Sequence, residues 1–263
     1  MHLINPNAAA YAVVSYQTAY LKYYYPVEFM AALMTSVVEM PNKVAEYISV
    51  CRQMGIQILP PDINRGMYGF SVDKGAIRYA LSAIKSIGRP VIEGIVRERE
   101  EHGEYTSLKT FVERNIDQIN KRVVENLIKA GALDCLEGNR KQKMFVYPQI
   151  IDSINQDKKH SMAGQMSLFD IVSEEDKKEF EIRMPQIAEY TNDVILAFEK
   201  DVLGIYLSGH PLEQYRSMME KMISAKTSDF QPDDETGIPE VYDNQKVIVG
   251  GMITDKNDKI YKE

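Results

Sequence analysis

The stretch Leu81-Ser82-Ala83-Ile84-Lys85-Ser86-Ile87-Gly88-Arg89-Pro90-Val91-Ile92-Glu93-Gly94-Ile95 decides how the chain is read. Leu81 and Ile84 stand at helical spacing before a tight turn at Ser86-Ile87-Gly88, and Ile92 and Ile95 repeat that spacing after it. The pattern predicts two short helices with apolar stripes, joined by a glycine turn. Such a turn leaves backbone N–H groups open, and the following helix adds its positive end, so the pair suits an anion. Lys85 and Arg89 flank the turn, while Pro90 removes one donor. About 40 residues later a looser copy runs Asn120, Val123, Val124, Leu127, Ile128, Ala130, Gly131, Ala132, Leu133 and Asp134, followed by Asn139-Arg140-Lys141-Gln142-Lys143.

Outward from this centre the chain reads as mainly α. Ala8 to Lys22 alternates alanine with Tyr11, Val14, Tyr16 and Tyr20, and Pro26 and Pro41 open two further helices in the first-turn position that tolerates proline. Val44, Tyr47, Ile48, Cys51 and Met54 share one helical face, which makes Cys51 a core residue. Tyr68 to Val72 and Ala76 to Tyr79 flank Asp73-Lys74-Gly75, a hairpin turn by composition. Ser107 and Asn120 are expected N-caps. Periodicity vanishes between Asp157 and Glu181, which predicts an exposed, extended linker around one apolar cluster. Thr191 to Leu203 and Leu212 to Met222 read as helices, and Lys246 to Thr254 as a strand that the chain leaves without partners.

With 263 residues and 44% apolar side chains, a packed core is within reach. Cys51 and Cys135 are the only cysteines, which excludes a disulfide framework or a CxxC zinc site and suits a reducing cytoplasm. His2, His102, His160 and His210 are equally scattered, and His210, before Pro211, reads as ordering the turn ahead of a helix. No apolar run has the length of a membrane span. The net charge of −7 is unevenly spread: residues 76–145 sum to +3 and residues 162–263 to −10. Mild positive charge around the two hairpins fits a local nucleic-acid contact, which the acidic C-terminal part would repel.

The glycine-turn pattern resembles the helix-hairpin-helix motif, with Ser86 in place of its first glycine. It implies sequence-independent contact with duplex DNA through Lys85, Ser86, Ile87, Gly88 and Arg89, with Arg140, Lys141 and Lys143 from the second copy. Gln165-Met166-Ser167-Leu168-Phe169 resembles the pentapeptide by which bacterial proteins dock on the sliding clamp, Leu168 and Phe169 filling an apolar pocket and Gln165 bonding at its rim. Ala8-Ala9-Ala10-Tyr11-Ala12-Val13-Val14-Ser15-Tyr16-Gln17-Thr18-Ala19-Tyr20-Leu21-Lys22, Tyr25-Pro26-Val27-Glu28-Phe29-Met30, Leu59-Pro60-Pro61-Asp62-Ile63-Asn64 and Tyr206-Leu207-Ser208-Gly209-His210-Pro211-Leu212 then resemble, in order, the C family of bacterial replicative polymerases, the DNA polymerase III alpha subunits.

The resemblance implies the end of a fingers region over 1–75, a tandem helix-hairpin-helix domain over 76–156, a linker with the clamp-binding peptide over 157–182, a helical connector over 183–242, and the start of an OB-fold over 243–263. Asn5-Pro6-Asn7 stands where the family carries Lys-Ser-His, so a contact made by that run is not carried over by the resemblance. Two-metal polymerisation takes clustered carboxylates, and the first 100 residues offer only Asp62 and Asp73 as aspartates. No catalytic residue, metal ligand or cofactor is therefore assigned here, and magnesium is implied for the complete polymerase alone. The implied partners are double-stranded DNA, a sliding clamp and other replisome subunits in a bacterial cytoplasm, with no membrane. The rival reading is a clamp adaptor that binds protein and no DNA.

Overall fold

A computed structural model describes residues 6–162, 182–232 and 237–253. The chain divides into two compact units, Met1–Ser208 and Gly209–Glu263.

The first unit opens with α1 (Pro6–Tyr24), an alanine-rich helix exposed along its described length. Proline then starts both α2 (Pro26–Ser36) and α3 (Pro41–Gln53), as expected, since a first-turn residue has no intrahelical N–H bond to lose. Met30, Ala31 and Met34 of α2 and Val44, Ile48 and Cys51 of α3 are buried, so Cys51 is the core residue its spacing predicts. Lys74 and Gly75, at φ 53° and 81°, turn β2 (Ser71–Asp73) into antiparallel β3 (Ala76–Arg78). The ion pair with Arg78 holds the Asp73 carboxyl below the usual range. β1 (Ile58–Leu59) joins β3 in parallel, Ile58 opposite Ile77, which completes a three-stranded sheet in the order β1-β3-β2. That pairing has no local sequence signal.

The stripe before the central turn is not an α-helix. Leu81–Ala83 forms a single 3-10 turn: Lys85 N, which an α-helix would bond to Leu81 O, donates to Val202 O at 2.9 Å instead, while Leu81 N and Ser82 N donate to Met67 O at 3.1 Å and Tyr68 O at 3.2 Å. Helices follow at α4 (Arg89–His102), α5 (Leu108–Asn115), α6 (Lys121–Lys129), α7 (Arg140–Met162) and α8 (Asn192–Leu203). Ser107 Oγ accepts from Thr110 N at 3.1 Å and Asn120 Oδ1 from Val123 N at 3.0 Å, the caps that the sequence announces. α7 runs to Met162, so residues 157–162, expected as the start of a linker, are helical. The pentapeptide Gln165 to Phe169 lies outside the described residues.

One apolar core runs from Met30 to Ile205, so the segments expected as fingers end and hairpin domain share it. Tyr79 is fully buried and donates its hydroxyl to Leu203 O at 3.1 Å. In the second unit α9 (Arg216–Met222) follows a turn in which His210 Nδ1 accepts from Leu212 N at 3.2 Å, the ordering role read from the sequence. Residues 246–253, expected as a strand, make no ladder among the described residues. A strand needs a neighbour for its backbone groups, and Ile248 bonds instead to Ser224, accepting from its N–H and donating to its Oγ, both at 2.9 Å.

Gly131 holds φ +78°, and a Cβ there would strike Arg140 Nη2 and crowd Asp134 Oδ2 at 3.0 Å. Gly131→Ala is therefore expected to cost about 2 kcal/mol or more in urea unfolding, from left-handed strain plus displacement of the buried Arg140 guanidinium from Asp134. Gly55 has nearly the same φ, +74°, with open space around it. Gly55→Ala should cost about 1 to 2 kcal/mol from strain alone. Equal losses at the two sites would contradict this account of Gly131.

Candidate nucleic-acid interface

The central turn is held from both sides. α6 donates Asn126 Nδ2 to Lys85 O at 2.7 Å and Arg122 Nη2 to Ser86 Oγ at 3.1 Å, while the end of α8 accepts from Lys85 N through Val202 O. Ile87, the apolar tip, is buried, and Ser86, Gly88 and Arg89 are exposed. Ser86 carries φ +64°, the left-handed region that glycine enters without strain. Serine thus holds a glycine-like conformation, and its hydroxyl, bonded to Arg122, offsets part of the cost. Among the described residues none accepts from the N–H groups of Ser86, Ile87, Gly88 or Arg89. Gly88 is the N-cap of α4, with Pro90 in its first turn, so these donors and the positive end of α4 sit together.

The turn opens on a cleft of about 630 Å³, whose wall includes Tyr68, Ser82, Lys85, Ser86, Gly88 and Arg89. Arg89 stacks 4.6 Å from the centre of the Tyr68 ring and pairs with Glu93 at 2.7 Å. Its guanidinium is thereby oriented while remaining exposed. Lys85 reaches into solvent beside Asp201, 4.0 Å away.

The second copy behaves differently. Gly131 and the residues to Asp134 form its turn, but Arg140 and Lys143, expected at DNA, are buried. Arg140 Nε and Nη2 grip Asp134 at 3.0 and 2.7 Å, and Nη1 donates to Lys129 O at 3.2 Å with Glu199 3.7 Å away. Lys143 Nζ donates to Gly138 O, and burial, the leading cause, pulls its pKa below the ordinary lysine value. Both cations are satisfied inside the protein, so the expectation that they meet phosphate is corrected. Lys141 stays exposed, 5.5 Å from the Tyr190 ring.

The structure brings to the turn cations that sequence reasoning missed. Lys121 and Arg122, at the start of α6, share a second cleft of about 460 Å³ with Lys85, Ser86 and Lys129. Their signal was the capped start of α6 at Asn120, which aims the first turn of that helix, but the partner turn lies 36 residues away.

Among the described residues, no nucleophile or metal centre emerges. Although Cys135 as a residue is exposed, its thiol is crowded by Asp62 and Asn64, and desolvation followed by the Asp62 charge pushes its pKa up to about 11. Cys51 is buried and its thiol is likewise raised by burial. Among the described residues, the carboxylates and histidine near enough to share an ion are Glu98, Glu101 and His102. Glu98 is already taken by Arg114 at 3.0 Å, and the group, on the flank of one helix, holds none of the clustered aspartates that two-metal transfer requires. These residues do not fit the magnesium ions of a polymerase. No helix among the described residues is long and apolar enough to cross a membrane.

A family model for the helix-hairpin-helix motif matches residues 55–143, so the motif takes in the small sheet as well as both turns. Nearly the whole chain is also similar to one segment of the bacterial DNA polymerase III alpha subunits. It is 39% identical to that of Borreliella burgdorferi over 219 residues, 83% of this chain and 19% of the relative. The match to the Escherichia coli K12 subunit is 38% over 229 residues, 86% and 20%. That to the Mycobacterium tuberculosis H37Rv subunit is 35% over 267 aligned residues, 97% and 21%. The chain thus spans about a fifth of the length of these relatives.

The strained Ser86 gives a direct check of the turn. Ser86→Gly exchanges left-handed strain for the loss of one exposed hydrogen bond and greater unfolded-state freedom, so stability should stay within about 1 kcal/mol of the parent. Ser86→Val adds a β-branched side chain at positive φ and should lose about 2 kcal/mol. Thermal unfolding of the pair reads the difference, and a valine variant as stable as the glycine variant would refute the assigned conformation.

Proposed function

We propose that this chain is a non-catalytic segment of a bacterial replicative DNA polymerase, one that holds duplex DNA by its backbone without reading base identity and docks on the sliding clamp. The observation that carries the DNA part is the turn at Ser86 to Arg89, where open N–H groups, the start of α4 and flanking cations converge inside the helix-hairpin-helix match. Donors of this kind bond phosphate oxygens, which are the same at every base pair. Nucleotide addition, and the magnesium it uses, belongs in this reading to the rest of the polymerase.

Few cations are available at the turn, so the salt dependence of duplex binding should be shallow, about two to four phosphate contacts at ~0.9 each in the log–log slope. Lys85→Ala with Arg89→Ala should weaken binding equally for unrelated duplexes, read by fluorescence anisotropy. A changed sequence preference, or unchanged affinity, would overturn the assignment. A salt-independent chain that still binds the clamp would favour the protein-only adaptor instead.

Clamp docking rests on Gln165-Met166-Ser167-Leu168-Phe169 and its resemblance to a clamp-binding peptide. Phe169→Ala should cost about 2 kcal/mol, roughly 30-fold in affinity, as expected for an aromatic anchor. Leu168→Ala should rank beside it, Gln165→Ala should cost roughly 0.5 to 1.5 kcal/mol, and Met166→Ala should be near neutral. Titration of the single variants against the cognate clamp gives the ranking, and a flat series would make the peptide a chance match.

A further inference from the structure

We propose that the cleft between the Ser86 turn and the first turns of α6 is a second subsite for a phosphodiester of the duplex backbone, and that Asp201 sits in it as an internal counter-ion which the phosphate displaces. The inference rests on the reading of the turn as a backbone contact and adds residues to it. Lys85 comes from the turn, and Lys121, Arg122 and Lys129 come from α6, so cations from two separate elements converge on one concavity. Arg122 is aimed by its bond to Ser86 Oγ. Lys121 is shared with Asp152 at 2.8 Å, and Lys129 with Glu125 at 2.8 Å.

Asp201 enters from the end of α8. Its Oδ1 lies 4.0 Å from Lys85 Nζ and its Oδ2 3.8 Å from Lys129 Nζ. A close charge-assisted bond would be about 2.7 to 2.9 Å, so the carboxylate lies between two ammonium groups and grips neither. Its position is set by the backbone rather than by its charge, because the neighbouring Val202 carbonyl accepts from Lys85 N at 2.9 Å. The Asp201 side chain is 57% exposed, which screens the attraction and makes the carboxylate easy to turn out to solvent. A phosphodiester brings the same single negative charge on two free oxygens. Arriving at the open N–H groups of the turn, the strand places its next phosphate at this cleft, which Arg122 lines with Lys121, Glu125 and Lys129.

The test is anisotropy titration of the full chain with a fluorescent duplex, from about 50 to about 200 mM salt. Asp201→Asn is expected to tighten binding about three- to fivefold at the lower salt and to steepen the slope by up to one contact of ~0.9. Glu46→Gln makes the same charge change at an exposed pair on α3, with Lys43 2.7 Å away, and should alter affinity less than about twofold. Lys121→Ala with Arg122→Ala should weaken binding and abolish the gain from Asp201→Asn. Duplex binding by Asp201→Asn alone, with none by the parent, would also support the subsite.

Equal gains from Asp201→Asn and Glu46→Gln would reduce the effect to net charge and overturn it. Parent binding that depends on Lys85 and Arg89 but ignores Asp201→Asn would sink the subsite and leave the proposed function standing. Absence of binding in both parent and Asp201→Asn would remove both. A parallel titration with inorganic pyrophosphate separates the sources of phosphate, since a gain there and none with duplex would mean a small-anion site and refute the backbone assignment.

Discussion

A buried guanidinium with five N–H donors must find acceptors or destabilise whatever buries it. Arg140 finds them on several segments at once: both oxygens of Asp134 within 3.1 Å, the Lys129 carbonyl at 3.2 Å, and the Glu199 carboxylate 3.7 Å away. Those groups belong to the end of α6, the turn after Gly131 and the middle of α8, so one side chain fixes the relative placement of all of them. Glu199 extends the network by accepting from Leu207 N and Ser208 N at 2.9 Å, which secures the chain as it leaves α8. The condition for this is a missing Cβ at Gly131, where any side chain would occupy the space of the guanidinium.

Placement of α8 in turn decides the geometry at the Ser86 turn. With Glu199 anchored, Val202 presents its carbonyl to Lys85 N and Leu203 presents its own to the Tyr79 hydroxyl. α6 closes the other side through Asn126 and Arg122. Ser86 can therefore be kept at positive φ although it is not glycine, because the residues around it over-determine the turn. A contact to a featureless backbone gains from such rigidity, since donors already in position lose little freedom on binding.

How much of this could be read from the sequence follows from the range of the interactions involved. Pro26, Pro41, Ser107 and Asn120 act within one turn of themselves, and each begins a helix where expected. The face of α3 around Cys51 and the Lys74-Gly75 turn are similarly local. The apolar spacing of Leu81 and Ile84 correctly marks burial but not helix, because Val202, far along the chain, claims the Lys85 N–H that would close the first helical turn. Arg140 and Lys143 look solvated beside Lys141, yet their acceptors lie on Asp134, Glu199 and the Gly138 carbonyl. A run of like charges does not show which members point inward. Arg122 was overlooked for the converse reason: nothing near it in sequence hints at Ser86.

The same burial revises what the charge of the hairpin region means. Its sum of +3 includes Arg99, which is buried and donates to the carbonyls of Ile63 and Gly66 at 3.0 and 2.8 Å. Arg114 spends its charge on Glu98, and Arg140 and Lys143 are internal. The cations left near the turn are Lys85, Arg89, Lys121, Arg122 and Lys129, each with an acid or a hydroxyl in reach. Attraction to phosphate at long range is correspondingly weak, and in the proposed role the specificity for a backbone comes from directed N–H groups at short range instead. Such a contact adds little affinity by itself but fixes a defined orientation.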